Sequence, residues 1–169
     1  MNLDSRALIK FLESSHLTLA LAESCTGGLI SAQLTRQAGA SRVLWGSWVT
    51  YTNEAKNRCL GVPLELLENY GAVSREVALS MADGALRFSG ASLALSVTGV
   101  AGPGPAEGLP AGTVWLGVAG PWPAAVQLLQ LKGTRANIQR RSAEEARKFL
   151  YRWWQKEGRL DSIGLDRDN

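Results

Sequence analysis

Leu17-Thr18-Leu19-Ala20-Leu21-Ala22-Glu23-Ser24-Cys25-Thr26-Gly27-Gly28 is an apolar run that breaks into a short, polar, glycine-rich turn. Its first six residues are apolar or β-compatible, the pattern of a short strand buried on both faces. Thr26 to Gln37 then places Leu29, Ile30 and Leu34 on one face at helical spacing, and predicts a helix that Gly39 ends. A buried strand that enters a helix through a tight turn begins a βα unit. The turn then lies at the carboxyl end of a strand, where open α/β sheets bind ligands.

Working outward, residues 4–15 predict an opening helix. Leu8, Phe11 and Leu12 recur at helical spacing, and Asp4 or Ser5 can cap it. Trp45 to Tyr51 reads as a second strand, followed by a short helix over Asn53 to Cys59. Pro63 opens another helix carrying Leu64, Leu66 and Leu67, which Gly71 closes. Ser74 caps a longer one to about Phe88, with Glu76 supporting its first turn. Ala91–Val97, Gly112–Ala119 and Ala125–Leu131 are three further strands. The last two are joined by Gly120-Pro121-Trp122-Pro123, which favours an antiparallel pair. A final helix is expected from about Thr134 to Gln155. The expectation is one α/β domain over residues 1–157, with helices on both faces of a mixed, mostly parallel sheet of about five to six strands. A loose polar tail over 158–169 follows.

The chain has 169 residues, enough for one ordinary core, with 46% hydrophobic and 20% charged residues. Two cysteines, Cys25 and Cys59, are too few for a disulfide framework, and a reduced, cytoplasmic protein is expected. Met1 to Arg6 lacks the pattern of a signal peptide, and no apolar stretch reaches the roughly 20 residues that span a membrane. Most of the positive charge lies between Lys132 and Arg159. It is either the solvated face of a helix or, at its start, an anion site; no nucleic-acid motif accompanies it. The six tryptophans are expected in the core or at an interface, Trp153-Trp154 packing down the last helix or marking a subunit contact. A homo-oligomer is expected on that ground.

Three loops carry more glycine and hydroxyl residues than connection requires. Glu23 to Gly28 offers free helix N-terminal N–H groups to an anion or oxyanion, or else simply caps the helix with Ser24 or Thr26. Thr98-Gly99-Val100-Ala101-Gly102-Pro103-Gly104-Pro105 also follows a strand. It either shapes a turn or brings backbone amides to a phosphate, and no Gly-Lys-Ser/Thr follows that would make it a P-loop. Tyr51-Thr52-Asn53-Glu54-Ala55-Lys56 ends a strand and places Lys56 one turn into a helix. There it is either a general base for a serine, if its pKa is lowered, or a surface lysine paired with a carboxylate such as Glu54. The single histidine, His16, falls outside these loops, so a Ser-His-Asp triad lacks a base. Cysteine and histidine spacing offers no zinc site. Cys25 is a weak alternative nucleophile without a histidine partner.

The segments Ala22–Gly28, Val49–Lys56, Gly71–Ser74, Ser96–Pro103 and Gly112-Thr113-Val114-Trp115 occur in the order found in the C-terminal domain of the competence-damage-inducible protein CinA. From about residue 5 to 155 the chain resembles that family, whose stand-alone members are nicotinamide-nucleotide amidases. The resemblance implies a three-layer α/β/α sandwich. It implies hydrolysis of the carboxamide of nicotinamide mononucleotide to nicotinate mononucleotide and ammonia, in pyridine-nucleotide salvage, with no metal or cofactor.

Carried over by motif, Ser24 is the nucleophile, Lys56 the general base and Tyr51 the assisting hydroxyl. Glu23, Cys25, Thr26, Gly27 and Gly28 are expected around the substrate, with the oxyanion on amides at the start of the 26–37 helix. Thr98, Gly99, Ala101 and Gly102, with Gly112 and Thr113, would line the nucleotide site, and Arg135 and Arg140 would hold its phosphate. The chain departs from the family pattern at Thr134, where aspartate is usual, and at Gln139, where arginine is common. It also departs at Ser47, where glycine is usual, and in the shorter, less acidic loop after Pro103. Because of these departures, a catalytically silent nucleotide-binding module and an amidase for another substrate stand as alternatives.

Overall fold

The computed structural model describes residues 4–164. Its elements in chain order are α1 (Ser5–Ser14), β1 (Leu19–Glu23), α2 (Leu29–Thr35), α3 (Ala40–Val43), β2 (Leu44–Val49) and α4 (Asn53–Leu60). There follow α5 (Leu64–Tyr70), α6 (Arg75–Ser89), β3 (Leu93–Gly99), β4 (Thr113–Ala119), β5 (Ala125–Gln130) and α7 (Arg135–Gly164). The five strands form one mixed sheet in the order β2-β1-β3-β4-β5. β1 pairs parallel with β2 and β3, whereas β4 pairs antiparallel with β3 and β5, so β4 alone runs against the other four. This is the expected α/β architecture with a mixed, mostly parallel sheet.

Side-chain size separates the two faces of the sheet. Leu19, Leu21, Leu93, Leu95, Val97, Val114, Leu116 and Val118 point to one side, where they pack with residues of α1, α2 and α7. The alternate positions are small. Ala20, Ala22 and Ala94 face the other side with Met81 and Ala85 of α6. Ser96 Oγ donates to the Ala78 carbonyl at 2.6 Å, and a Cβ on Gly117 would meet that carbonyl oxygen at 2.6 Å. Small side chains on this face therefore let α6 lie almost on the sheet backbone, while large ones hold the other layer further off.

Local chemistry sets the helix ends. Asp4, Thr52 and Ser74 accept a hydrogen bond from the N–H three residues on and cap α1, α4 and α6. Trp153 is buried, stacks edge-on to Trp122 and donates from Nε1 to Pro123 O at 2.9 Å, while Trp154 packs on Phe11. These contacts hold α7 against the sheet and α1. Two expectations need correcting. The helix after β1 starts at Leu29 rather than Thr26, because Gly27 and Gly28 have φ of 62° and 91° and continue the turn. The last helix continues to Gly164, so its backbone is helical for part of the expected polar tail; residues 165–169 of that tail, and residues 1–3, lie outside the described residues. Among the described residues no helix is long and apolar enough to cross a membrane.

Candidate active site

The loops after β1, β2 and β3 and the start of α7 converge at the carboxyl ends of the four co-directed strands, the edge at which such sheets bind ligands. β1 and β2 pair with Glu23 opposite Val49, and the Thr50 N–H continues the ladder to Glu23 O at 2.8 Å. Ser24 N–H donates to Val97 O at 2.9 Å on the other side. Ser24 is thus pinned between the ends of β2 and β3. Lys56 lies in α4, which the Thr52 cap starts at Asn53, and the helix turns its side chain back toward Thr50 and Ser24.

Lys56 Nζ donates to Ser24 Oγ at 3.0 Å and to Thr50 O at 3.0 Å. The lysine is 1% exposed, and no carboxylate forms an ion pair with it among the described residues. Burial lowers its pKa from the ordinary value of 10.5, against smaller opposing effects of Cys25 and Glu107. A hydroxyl hydrogen-bonded to a buried amine of lowered pKa is the arrangement of an activated nucleophile. Cys25, next in the chain, is the opposite case. Burial pushes its thiol up to about 12, which leaves it protonated and unreactive near neutrality.

The pair opens into a cleft of about 270 Å³. Ser24, Cys25, Tyr51, Lys56, Thr98, Gly99, Ala101, Gly102 and Arg135 line it, as expected. Arg135 donates from Nη2 to Tyr51 Oη at 2.5 Å and from Nη1 to Gly102 O at 2.6 Å, so one guanidinium ties the β2 and β3 loops together. Tyr51 is half exposed at the rim, and no hydrogen bond among the described residues joins it to Ser24 or Lys56.

Seven of the expected residues lie outside the cleft lining. Glu23 is fully buried, and its carboxylate accepts from Thr26 Oγ1, from the N–H groups of Ile30 and Ser31, and from Ser47 Oγ. It satisfies two N–H groups in the first turn of α2, whose N-cap position is Gly28. Its hold on the Ile30 and Ser31 amides leaves the amide of Thr26, at the start of the expected helix, outside its reach, and Ser47 supports the carboxylate. Thr26 is part of that network, and Gly27 and Gly28 supply its positive-φ turn. Gly112 fits only without a side chain, because a Cβ would come 1.8 Å from Leu131 O. Thr113 is buried and donates to Gln130 Oε1. Arg140 is ion-paired with Glu144 on the outer face of α7. Arg135 and Arg140 are five positions apart, about 140° around a helix, so one helix cannot aim both into one cleft.

The same geometry brings to the site residues that the sequence did not place there. Gln139, one turn after Arg135 and on its side of α7, donates to Cys25 O at 2.9 Å and ties α7 to the nucleophile turn. Its i+4 spacing from Arg135 was the available signal. Asn53, Val73 and Glu107 also line the cleft. Glu107 has a positive φ of 52° and accepts from the Val73 N–H at 3.2 Å, which brings a carboxylate into the cleft that Lys56 and Arg135 also line. Nothing in its local sequence pattern marks it. Among the described residues no group of three His, Cys, Asp or Glu side chains is placed to hold a metal ion.

Fold and site together define a small α/β domain with a buried Ser–Lys pair at the carboxyl edge of its sheet. The chain belongs to the CinA family: the model of the CinA C-terminal domain matches residues 4–153. It is 46% identical over 147 residues to a CinA-like protein of Geobacter sulfurreducens, a match covering 86% of this chain and 36% of that one. The chain thus spans about a third of the length of the curated relatives it matches. The solved structure of competence/damage inducible protein CihA from Agrobacterium tumefaciens superposes with a TM-score of 0.84 at 40% identity, covering 87% of this chain and 91% of that one. A CinA superfamily protein from Escherichia coli superposes with a TM-score of 0.83 at 31% identity, covering 87% and 88%.

Proposed function

We propose that this domain is an amidohydrolase that cleaves the carboxamide of nicotinamide mononucleotide, releasing ammonia and nicotinate mononucleotide. The observation that carries the reading is the 3.0 Å contact of buried Lys56 Nζ with Ser24 Oγ at the floor of a small-molecule cleft. In its neutral form Lys56 keeps one N–H on Thr50 O and offers its lone pair to the Ser24 proton. Ser24 Oγ then attacks the carboxamide carbon. The amides of Cys25 and Thr26, which follow Ser24 directly and make no backbone–backbone hydrogen bond among the described residues, hold the oxyanion in this reading. The C–N bond breaks as Lys56 returns the proton to the departing ammonia. Water then attacks the acyl ester, with Lys56 again as base, and regenerates Ser24.

Charge distribution supports the same substrate. Glu107 presents a carboxylate in the cleft for the cationic pyridinium ring, which itself activates the amide. Arg135 sits at the rim for the phosphate, and Tyr51, accepting from Arg135, keeps its own O–H to donate into the cleft. The test is ammonia release from nicotinamide mononucleotide beside nicotinamide and NAD. Release from the mononucleotide that Ser24→Ala abolishes is the expected result. No release from any of the three, or release unchanged in Ser24→Ala, refutes the reading.

A further inference from the structure

A second cleft, of about 460 Å³, lies away from Ser24 where the start of α1, the end of α2 and the middle of α7 meet. Arg6, Arg36 and Arg147 line it with Gln33 and Gln37, and Asp4 supplies the only carboxylate among its lining residues. Asp4 is already engaged, since its side chain caps α1 by accepting from the Ala7 N–H at 2.8 Å. The decisive residue is Arg147, which is only 6% exposed. It donates from Nη1 to the Gln33 side-chain carbonyl, and its buried Nε has no acceptor.

Among the described residues no ion pair engages Arg6, Arg36 or Arg147. The carboxylates whose fields reach Arg147 are Glu144 and Asp4, of which Glu144 is ion-paired with Arg140. Arginine stays protonated in proteins, and a buried charge is ordinarily matched by an opposite one. A neutral glutamine carbonyl does not match it. Among the described residues, three guanidinium groups around a polar cleft, one of them buried, have no ion-paired carboxylate.

We propose that this cleft is an anion site, built for a compact phosphate group, either the free ion or the phosphoryl end of a small ester. Guanidinium forks match phosphate oxygens bidentately, and the flanking glutamine amides can donate to the same oxygens. The site also has a structural consequence. α2 follows the Ser24 turn and α7 carries Arg135 and Gln139, so an anion held by Arg36 and Arg147 joins the two helices that frame the active site.

The test measures the thermal unfolding midpoint with inorganic phosphate and, separately, ribose 5-phosphate, against chloride at matched ionic strength. It uses wild type, Arg135→Ala to silence phosphate binding at the Ser24 cleft, Arg36→Glu and Arg147→Gln. The expected result is a midpoint that rises with the logarithm of phosphate concentration in wild type and Arg135→Ala. That rise is at least halved in Arg36→Glu, whose exposed side chain can change without disturbing the fold, and is lost in Arg147→Gln. A larger shift with the ester supports the site and assigns the ester; a larger shift with the free ion supports it and assigns the ion. No shift beyond that of chloride, a shift lost in Arg135→Ala, or an equal shift in Arg36→Glu and wild type overturns the proposal.

Discussion

Lys56 Nζ and Ser24 Oγ stand 3.0 Å apart although 32 positions separate the two residues in the chain. The parallel pairing of β1 and β2 brings them together. It sets Thr50 level with Ser24, and the Thr52-capped helix then folds Lys56 back over that level. The cost is an amine buried without an ion-paired carboxylate among the described residues. That is unfavourable for the charged form and favours a neutral base.

Ser24→Ala removes the proposed nucleophile and leaves the cleft walls in place. Turnover of nicotinamide mononucleotide should fall at least about ten-thousandfold, while equilibrium binding of the nucleotide changes little. Steady-state ammonia release and calorimetric titration measure the two.

Lys56 makes both rate and stability depend on pH, in a direction set by its lowered pKa. The rate should climb as pH rises through that lowered pKa, because the neutral amine is the proposed base. Between that value and 10.5 the unfolded chain binds more protons than the folded one, so stability also rises with pH across the same window. Lys56→Met should lose activity and flatten the stability profile. Chemical denaturation at a series of pH values checks it, and an unchanged slope in the Met variant would refute the assignment.

Glu23→Ala should act on stability first. The substitution leaves the Ile30 and Ser31 N–H groups and the Thr26 and Ser47 hydroxyls without their acceptor. A loss of about 3 kcal/mol or more is expected from hydrogen bonds to a buried charge, read from the urea midpoint.

Arg135 and Arg140 should separate cleanly. Arg135→Ala is expected to raise KM for the mononucleotide about ten- to a hundredfold, the worth of about 1.5–3 kcal/mol of charge-assisted hydrogen bonding. Arg140→Ala should leave KM within about twofold, since its partner Glu144 lies on the outer face of α7 and exposed pairs contribute little.

Gly112→Ala tests whether that glycine serves packing or substrate. With φ of 94° and a Cβ placed 1.8 Å from Leu131 O, the variant should lose stability by about 3 kcal/mol or more, by calorimetry. A folded variant of native stability with raised KM would restore a substrate role.

Apolar periodicity and turn residues were enough to read the strands, most helices and the antiparallel β4–β5 pair, because each is a local pattern. That Ser24, Tyr51 and Lys56 line one cleft was likewise legible, carried by motifs whose order matches the CinA family. The sequence by itself therefore determined the layer architecture and the loops that meet at the sheet edge. Which way individual groups face was decided only in three dimensions. Glu23 turns inward because four donors of its own chain surround it, and Arg140 turns outward because helix geometry sets it about 140° from Arg135. Glu107 reaches the cleft through a loop conformation with positive φ that no periodicity reports. Arg147 becomes a buried charge, with no ion pair among the described residues, only when α1, α2 and α7 pack around it. Burial and hydrogen-bond satisfaction are properties of neighbours brought from distant parts of the chain, so they arise with the tertiary structure.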